Sequence, residues 1–213
     1  MFWLESALAV AAVIMALALR PWRAVAASGP PWPWVAWCVL LPLFWGADRY
    51  VSMPVAQPLS GACLLLLMMG WPMAVLALLP VAALTTLLTG FPLAEGLSRY
   101  VWLGLVPATF ALALGAAVRR WLPHHLFVYI LGRGFFASAI ATTIAGTLAT
   151  LMHPLPIGLA DADLVLGRGL AAWGDAWLAG MLVAIFVAFR PEWLATYTDR
   201  LYLPSSRPGD PNP

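Results

Sequence analysis

The sequence predicts an all-α fold, a polytopic transmembrane bundle of about seven helices. Three observations carry that prediction. Apolar stretches, each close to the roughly 20 residues that a helix needs to cross the hydrocarbon core, fill nearly all of the 213 residues. The composition is 63% hydrophobic and 9% charged, with a mean hydropathy of +0.89, outside the range of a water-soluble domain. Only short polar connections separate the stretches, so no soluble catalytic domain fits between them. Helices are the expected form, because open strands and loops leave backbone groups unpaired in lipid.

Taken in order, the first helix is expected at 2–19. It is apolar from Met1 and carries Glu5, and it lacks the basic flank and cleavage site of a signal peptide, so it reads as a span. Pro30, Pro31 and Pro33 set the start of the second, at 33–47. The third, at 55–69, is short, so it reads as either broken or not fully crossing, which leaves the count at seven or six. Gly70-Trp71-Pro72 marks a tight turn into the fourth, at 72–90. The remaining spans are expected at 97–118, 126–152 and 165–189, giving one integral domain over 1–203. Residues 204–213, rich in Pro, Ser and Gly, read as a disordered tail.

Arginine placement orients the bundle. Arg20, Arg23, Arg119 and Arg120 fall in odd-numbered connections, and Arg190, Arg200 and Arg207 in the tail. The even-numbered connections hold Arg49, Arg99 and Arg168, together with Asp48, Glu95, Asp161 and Asp163. Seven against three places the odd connections and the tail in the cytoplasm and the N-terminus outside. An odd number of crossings fits, as does a multi-pass protein of the bacterial inner membrane.

Charged residues at bilayer depth need a reason, since each costs roughly 2.5–3.5 kcal/mol to insert. Glu5, Arg133 and Asp175 stand out. Asp175, in Trp173-Gly174-Asp175-Ala176-Trp177, is either a ligand carboxylate or one half of an ion pair with Arg133 or Arg168. Glu5, one turn from the terminus, can snorkel to water. His124 and His125 join Arg119 and Arg120 in a cytoplasmic basic patch. His153 falls at the outer end of the sixth span near Asp161 and Asp163, where imidazole and carboxylates suit either a solvated loop or a transition metal. The small residues Gly134, Ala137, Ser138, Ala141, Thr142, Ala145 and Gly146 line one face of the sixth span, as close helix packing in lipid requires. Cys38 and Cys63 are isolated in apolar runs, without a disulfide framework or a CxxC motif. No nucleophile elbow, HExxH motif or Walker A loop occurs, so the chain reads as neither an enzyme nor an ATPase, and no resident cofactor is expected. A net charge of +2 does not point to nucleic acid.

Three segments together resemble a known family: Gly61-Ala62-Cys63 running to Gly70-Trp71-Pro72; Leu122-Pro123 through Phe127-Val128-Tyr129-Ile130 to Phe135-Phe136; and Asp175-Ala176-Trp177-Leu178-Ala179-Gly180-Met181, followed by the stretch from Arg190-Pro191-Glu192-Trp193 to Tyr202-Leu203. The pattern, over about 55–203, is similar to the energy-coupling-factor transporter permeases of proteobacteria, related to the cobalt/nickel substrate-binding subunits of the CbiM/NikM type. The resemblance implies a seven-helix subunit that captures a divalent metal ion outside and works with a transmembrane coupling subunit and cytoplasmic ATPases. The family's hallmark imidazoles fall on Phe2 and Pro58 here, so its metal site does not carry over. Replacement ligands are expected among Asp175, His153, Glu5, Gln57, Asp48, Asp161 and Asp163. Arg119, Arg120, Arg190, Trp193 and Tyr197 are the expected docking residues for the partner. The alternative is an accessory membrane subunit with no ligand of its own.

Overall fold

The computed structural model describes residues 1–24, 31–50, 57–153, 161–197 and 202; of 23, 24 and 161–163 only the backbone is described. The helices are α1 (Phe2–Ala18), α2 (Trp32–Trp45), α3 (Ala62–Met69), α4 (Trp71–Thr89), α5 (Leu93–Trp121), α6 (Val128–Met152) and α7 (Asp161–Phe189). One helical turn, Ala47–Tyr50, follows α2. Among the described residues there is no strand. The helices α4, α5, α6 and α7 are each long and apolar enough to cross a membrane, and α1 and α2 are shorter apolar helices. Large apolar side chains such as Trp3, Ile14, Leu87, Leu151 and Phe189 face outward. An apolar exterior around a packed helical core is what lipid demands. Bundles of this kind occupy inner membranes, whereas outer-membrane spanning proteins are barrels. The chain is a multi-pass membrane protein, as its composition predicts.

The six longer helices agree with the expected spans to within a few residues. The third span differs. Expected as a helix over 55–69, it is helical only from Ala62 to Met69; residues 58–61 lead into it without helical structure, and 51–56 lie outside the described residues. Pro58 has no N–H to give, and Gly61 takes φ +63°, a left-handed conformation that suits glycine. Over the described residues the third segment is therefore discontinuous, a non-helical lead-in over 57–61 followed by a half-helix.

This half-helix is the centre of the bundle. All eight of its residues are buried, and it packs against α4 and α5 and touches α2, α6 and α7. Around it, α6 lies against α5 and α7, while α1 packs on α4 and α5. The buried face of α1 is Glu5, Ala9, Ala12 and Ala16, and the three alanines, about a turn apart, let helices approach closely. On α6, Ala137, Ser138, Ala141, Thr142, Ala145 and Gly146 are buried, so the small-residue face is an internal contact.

Two helices carry π-type segments, Tyr100–Leu105 in α5 and Val128–Phe136 at the start of α6. In α5 the irregularity has a chemical cause. Pro107 cannot donate to the carbonyl of Leu103 four residues back. The Ser60 hydroxyl donates to that carbonyl instead, at 2.6 Å, fastening the lead-in to α5.

The segment after α7 also departs from expectation. It turns back under the bundle rather than lying free. Ala195 N–H donates to the Met68 carbonyl at 3.0 Å and Thr196 N–H to that of Leu67 at 3.3 Å. The Thr196 hydroxyl donates to Leu67 as well, at 3.0 Å. These are carbonyls at the C-terminal end of α3, which have no helical partner of their own. The tail therefore caps the half-helix. Trp34 Nε1–H holds it from α2 through the Trp193 carbonyl at 3.0 Å.

Candidate functional site

Buried backbone without regular structure has to find its hydrogen bonds elsewhere. The lead-in to α3 finds them in side chains. Trp45 Nε1–H donates to the Ser60 carbonyl at 2.9 Å, and Trp37 Nε1–H to the Gly61 carbonyl at 3.1 Å. Gly61 N–H donates to Asp175 Oδ1 at 3.0 Å. Asp175 is 3% exposed, and the Thr142 hydroxyl lies 3.4 Å from its Oδ2. A carboxylate at a helix N-terminus meets orphan N–H groups and the positive end of the helix dipole.

The expected ion pairs of Asp175 do not form. The Arg133 guanidinium points to the opposite end of the half-helix, donating to the Thr196 carbonyl at 3.3 Å and sitting over the Tyr129 ring at 5.4 Å. Arg168 donates to the Gly146 carbonyl and the Thr150 hydroxyl. Backbone geometry accounts for the difference: Asp175 is taken by the open N-terminus of α3 and Arg133 by the tail at its C-terminus.

At the end that the arginine count places outside, a cavity of about 390 Å³ opens above the lead-in. Gln57 and Pro58 form one wall; Glu95, Ser98, Arg99 and Trp102 of α5 another; Gly146 and His153 at the α6 end, with Arg168 of α7, complete it. Glu5, 3% exposed, sits behind it and accepts a hydrogen bond from Trp102 Nε1–H at 2.8 Å. His153 Nε2 lies 3.0 Å from the same Glu5 oxygen and 3.3 Å from the Ser98 hydroxyl. Its Nδ1 lies 3.1 Å from the Ala149 carbonyl, so both ring nitrogens are occupied. Arg99 is bound by both Asp48 oxygens, by Glu95 at 3.0 Å and by the Trp45 carbonyl.

Of the expected ligands, Glu5 and His153 meet, Gln57 lines the same cavity, and Asp175 lies apart in the core. Asp161 and Asp163 open α7, and their side chains lie outside the described residues. Among the described residues no three His, Cys, Asp or Glu side chains gather as a metal would need. Sequence reasoning counted Arg99 as a connection charge and weighed Arg168 only as an ion-pair partner of Asp175; their position within a turn or two of a span end was the available signal.

At the opposite end, Arg119 and Arg120 are exposed beside Trp121, and Arg190 is exposed and paired with Glu192 at 3.3 Å. Trp193 is half-buried against Phe186. Tyr197 is 7% exposed. It packs with Tyr129 and Tyr202, ring centroids 5.0 and 5.4 Å away, and so is a core residue and not an open anchor for a partner.

Comparison with known proteins adds little. The chain is 34% identical over 83 residues to dipeptide and tripeptide permease B of Xenorhabdus bovienii strain SS-2004, a match that covers 38% of this chain and 17% of that protein. The chain thus spans less than a fifth of that relative's length. No protein-family profile matches the chain, and no solved structure matches it.

Proposed function

We propose that this chain is the solute-capture membrane subunit of an importer of the energy-coupling-factor type, with the outer cavity as its entry site. One observation carries the reading: the third segment is helical only from Ala62, and Gln57 and Pro58 of its non-helical lead-in line a cavity that also holds Arg99, His153 and Arg168. Discontinuous helices with irregular backbone beside a cavity are how helical transporters build solute sites at membrane depth. The partial likeness to a peptide permease agrees with transport in general. Lacking a Walker A loop, the chain needs ATP-hydrolysing partners and a coupling subunit. Arg119, Arg120 and Trp121, exposed at the cytoplasmic end, are the first candidates for docking them.

A nickel- or cobalt-like ion, the cargo that the family resemblance implies, has two donors already in contact, His153 and Glu5. The nearby guanidinium of Arg168 opposes a bare cation. The reading is tested by purifying the tagged full-length chain from its own membranes in mild detergent. A stoichiometric partner with a Walker A sequence and ATPase activity in the complex is the expected result. A chain that elutes alone from every mild detergent contradicts it and favours a protein that works without ATPases.

A further inference from the structure

We propose that the outer cavity binds a small organic carboxylate, with the Arg168 guanidinium taking its charge and the Gln57 amide beside it; this rests on the capture reading above and narrows its substrate. The two arginines of the cavity differ in their partners. Arg99 is neutralised: Asp48 takes it from one side and Glu95 from another, and its guanidinium lies 4.4 Å over the Phe91 ring. Among the described residues the acceptors of Arg168 are neutral, the Gly146 carbonyl and the Thr150 hydroxyl, and both are reached through one nitrogen, Nη1. Among the described residues no carboxylate pairs with it. Its Nε is buried without an acceptor.

A guanidinium within an apolar bundle is costly unless something pairs with it. A planar, two-oxygen anion matches its fork of parallel N–H donors. Gly146 leaves room for the Gln57 side chain beside Arg168: a Cβ there would collide with Gln57 Oε1. Trp102, Leu103, Ala149 and Pro58 add apolar surface to the lining of the cavity. A lining that mixes a guanidinium with hydrocarbon fits an organic acid better than an inorganic anion.

The test is titration calorimetry on the purified full-length protein with butyrate, succinate, glutamate, inorganic phosphate and nickel chloride as probes. Saturable binding of at least one carboxylate is expected, weakened roughly tenfold or more in Arg168→Gln. Because Arg168 also ties α7 to α6, Gln57→Ala is the second variant, and a smaller loss with unchanged thermal stability is expected there. No carboxylate binding to the wild type, or equal binding to wild type and Arg168→Gln, overturns the inference. Nickel or phosphate binding without any carboxylate also overturns it while leaving the capture reading in place; loss of the ATPase partner, measured separately, would instead remove the capture reading.

Discussion

At the scale of single residues, Asp175 shows how a buried charge can serve structure. It accepts from Gly61 N–H at the head of α3, where replacement by Ala leaves an N–H in the core without a partner. An orphaned buried donor costs about 1–3 kcal/mol. Asp175→Ala is therefore expected to lower the unfolding temperature in detergent clearly, and Asp175→Asn, which keeps an acceptor oxygen, to lower it less; equal losses would contradict a capping role. Arg133 works at the other end of the same half-helix through Thr196. With no shared partner, Asp175→Asn and Arg133→Gln should have additive effects on stability, within about 0.5 kcal/mol. A strong coupling in the double mutant would restore the ion pair that the sequence suggested. Hydropathy flagged both residues because a charge among apolar neighbours is visible in one dimension. Their partners were not visible, because those are a backbone N–H and a carbonyl, groups that every residue carries.

At the scale of elements, the sequence located six spans because continuous apolar runs and flanking Pro and Gly mark them directly. It left the third open between a broken helix and a partial crossing for a physical reason: hydropathy counts apolar side chains and does not record where backbone hydrogen bonds go. Pro58 and Gly61 were the clues to a non-helical lead-in, and Trp37 and Trp45 supply the donors that let such a segment stay buried. Ser60 joins that segment to α5 at the carbonyl opposite Pro107. Ser60→Ala should destabilise the bundle by about 1–3 kcal/mol, read as a lower midpoint of thermal unfolding; an unchanged midpoint would show that the π-type segment does not depend on Ser60. The tail was read as an exposed docking strip because Trp and Tyr beside charges also describe an interface. Its amides instead cap α3. Slow hydrogen exchange is expected at Ala195 and Thr196, with faster exchange over 62–69 once the chain is cut after Arg190. Fast exchange at both amides in the intact protein would mean that the tail does not hold the half-helix.

At the scale of the whole molecule, the described residues sort into two ends. Glu5, Asp48, Gln57, Arg99, His153 and Arg168 gather at one, around the cavity. Arg20, Gly70 and Ala195 come together at the other, where the tail docks. The candidate site was legible only in part. Glu5, His153 and Gln57 were singled out as polar residues on a common side. The cavity that joins them to Arg99 and Arg168 depends on how α5, α6 and α7 pack, which no spacing along the chain records. The most direct test is thiol accessibility in intact cells, with Cys38 and Cys63 first replaced by Ala and a membrane-impermeant maleimide as the probe. Ser98→Cys in the cavity is expected to label from outside, and Ala195→Cys only in inside-out vesicles. Labelling of Ala195→Cys from outside, or no labelling of Ser98→Cys from that side, would contradict an outward-opening capture site above the broken third crossing.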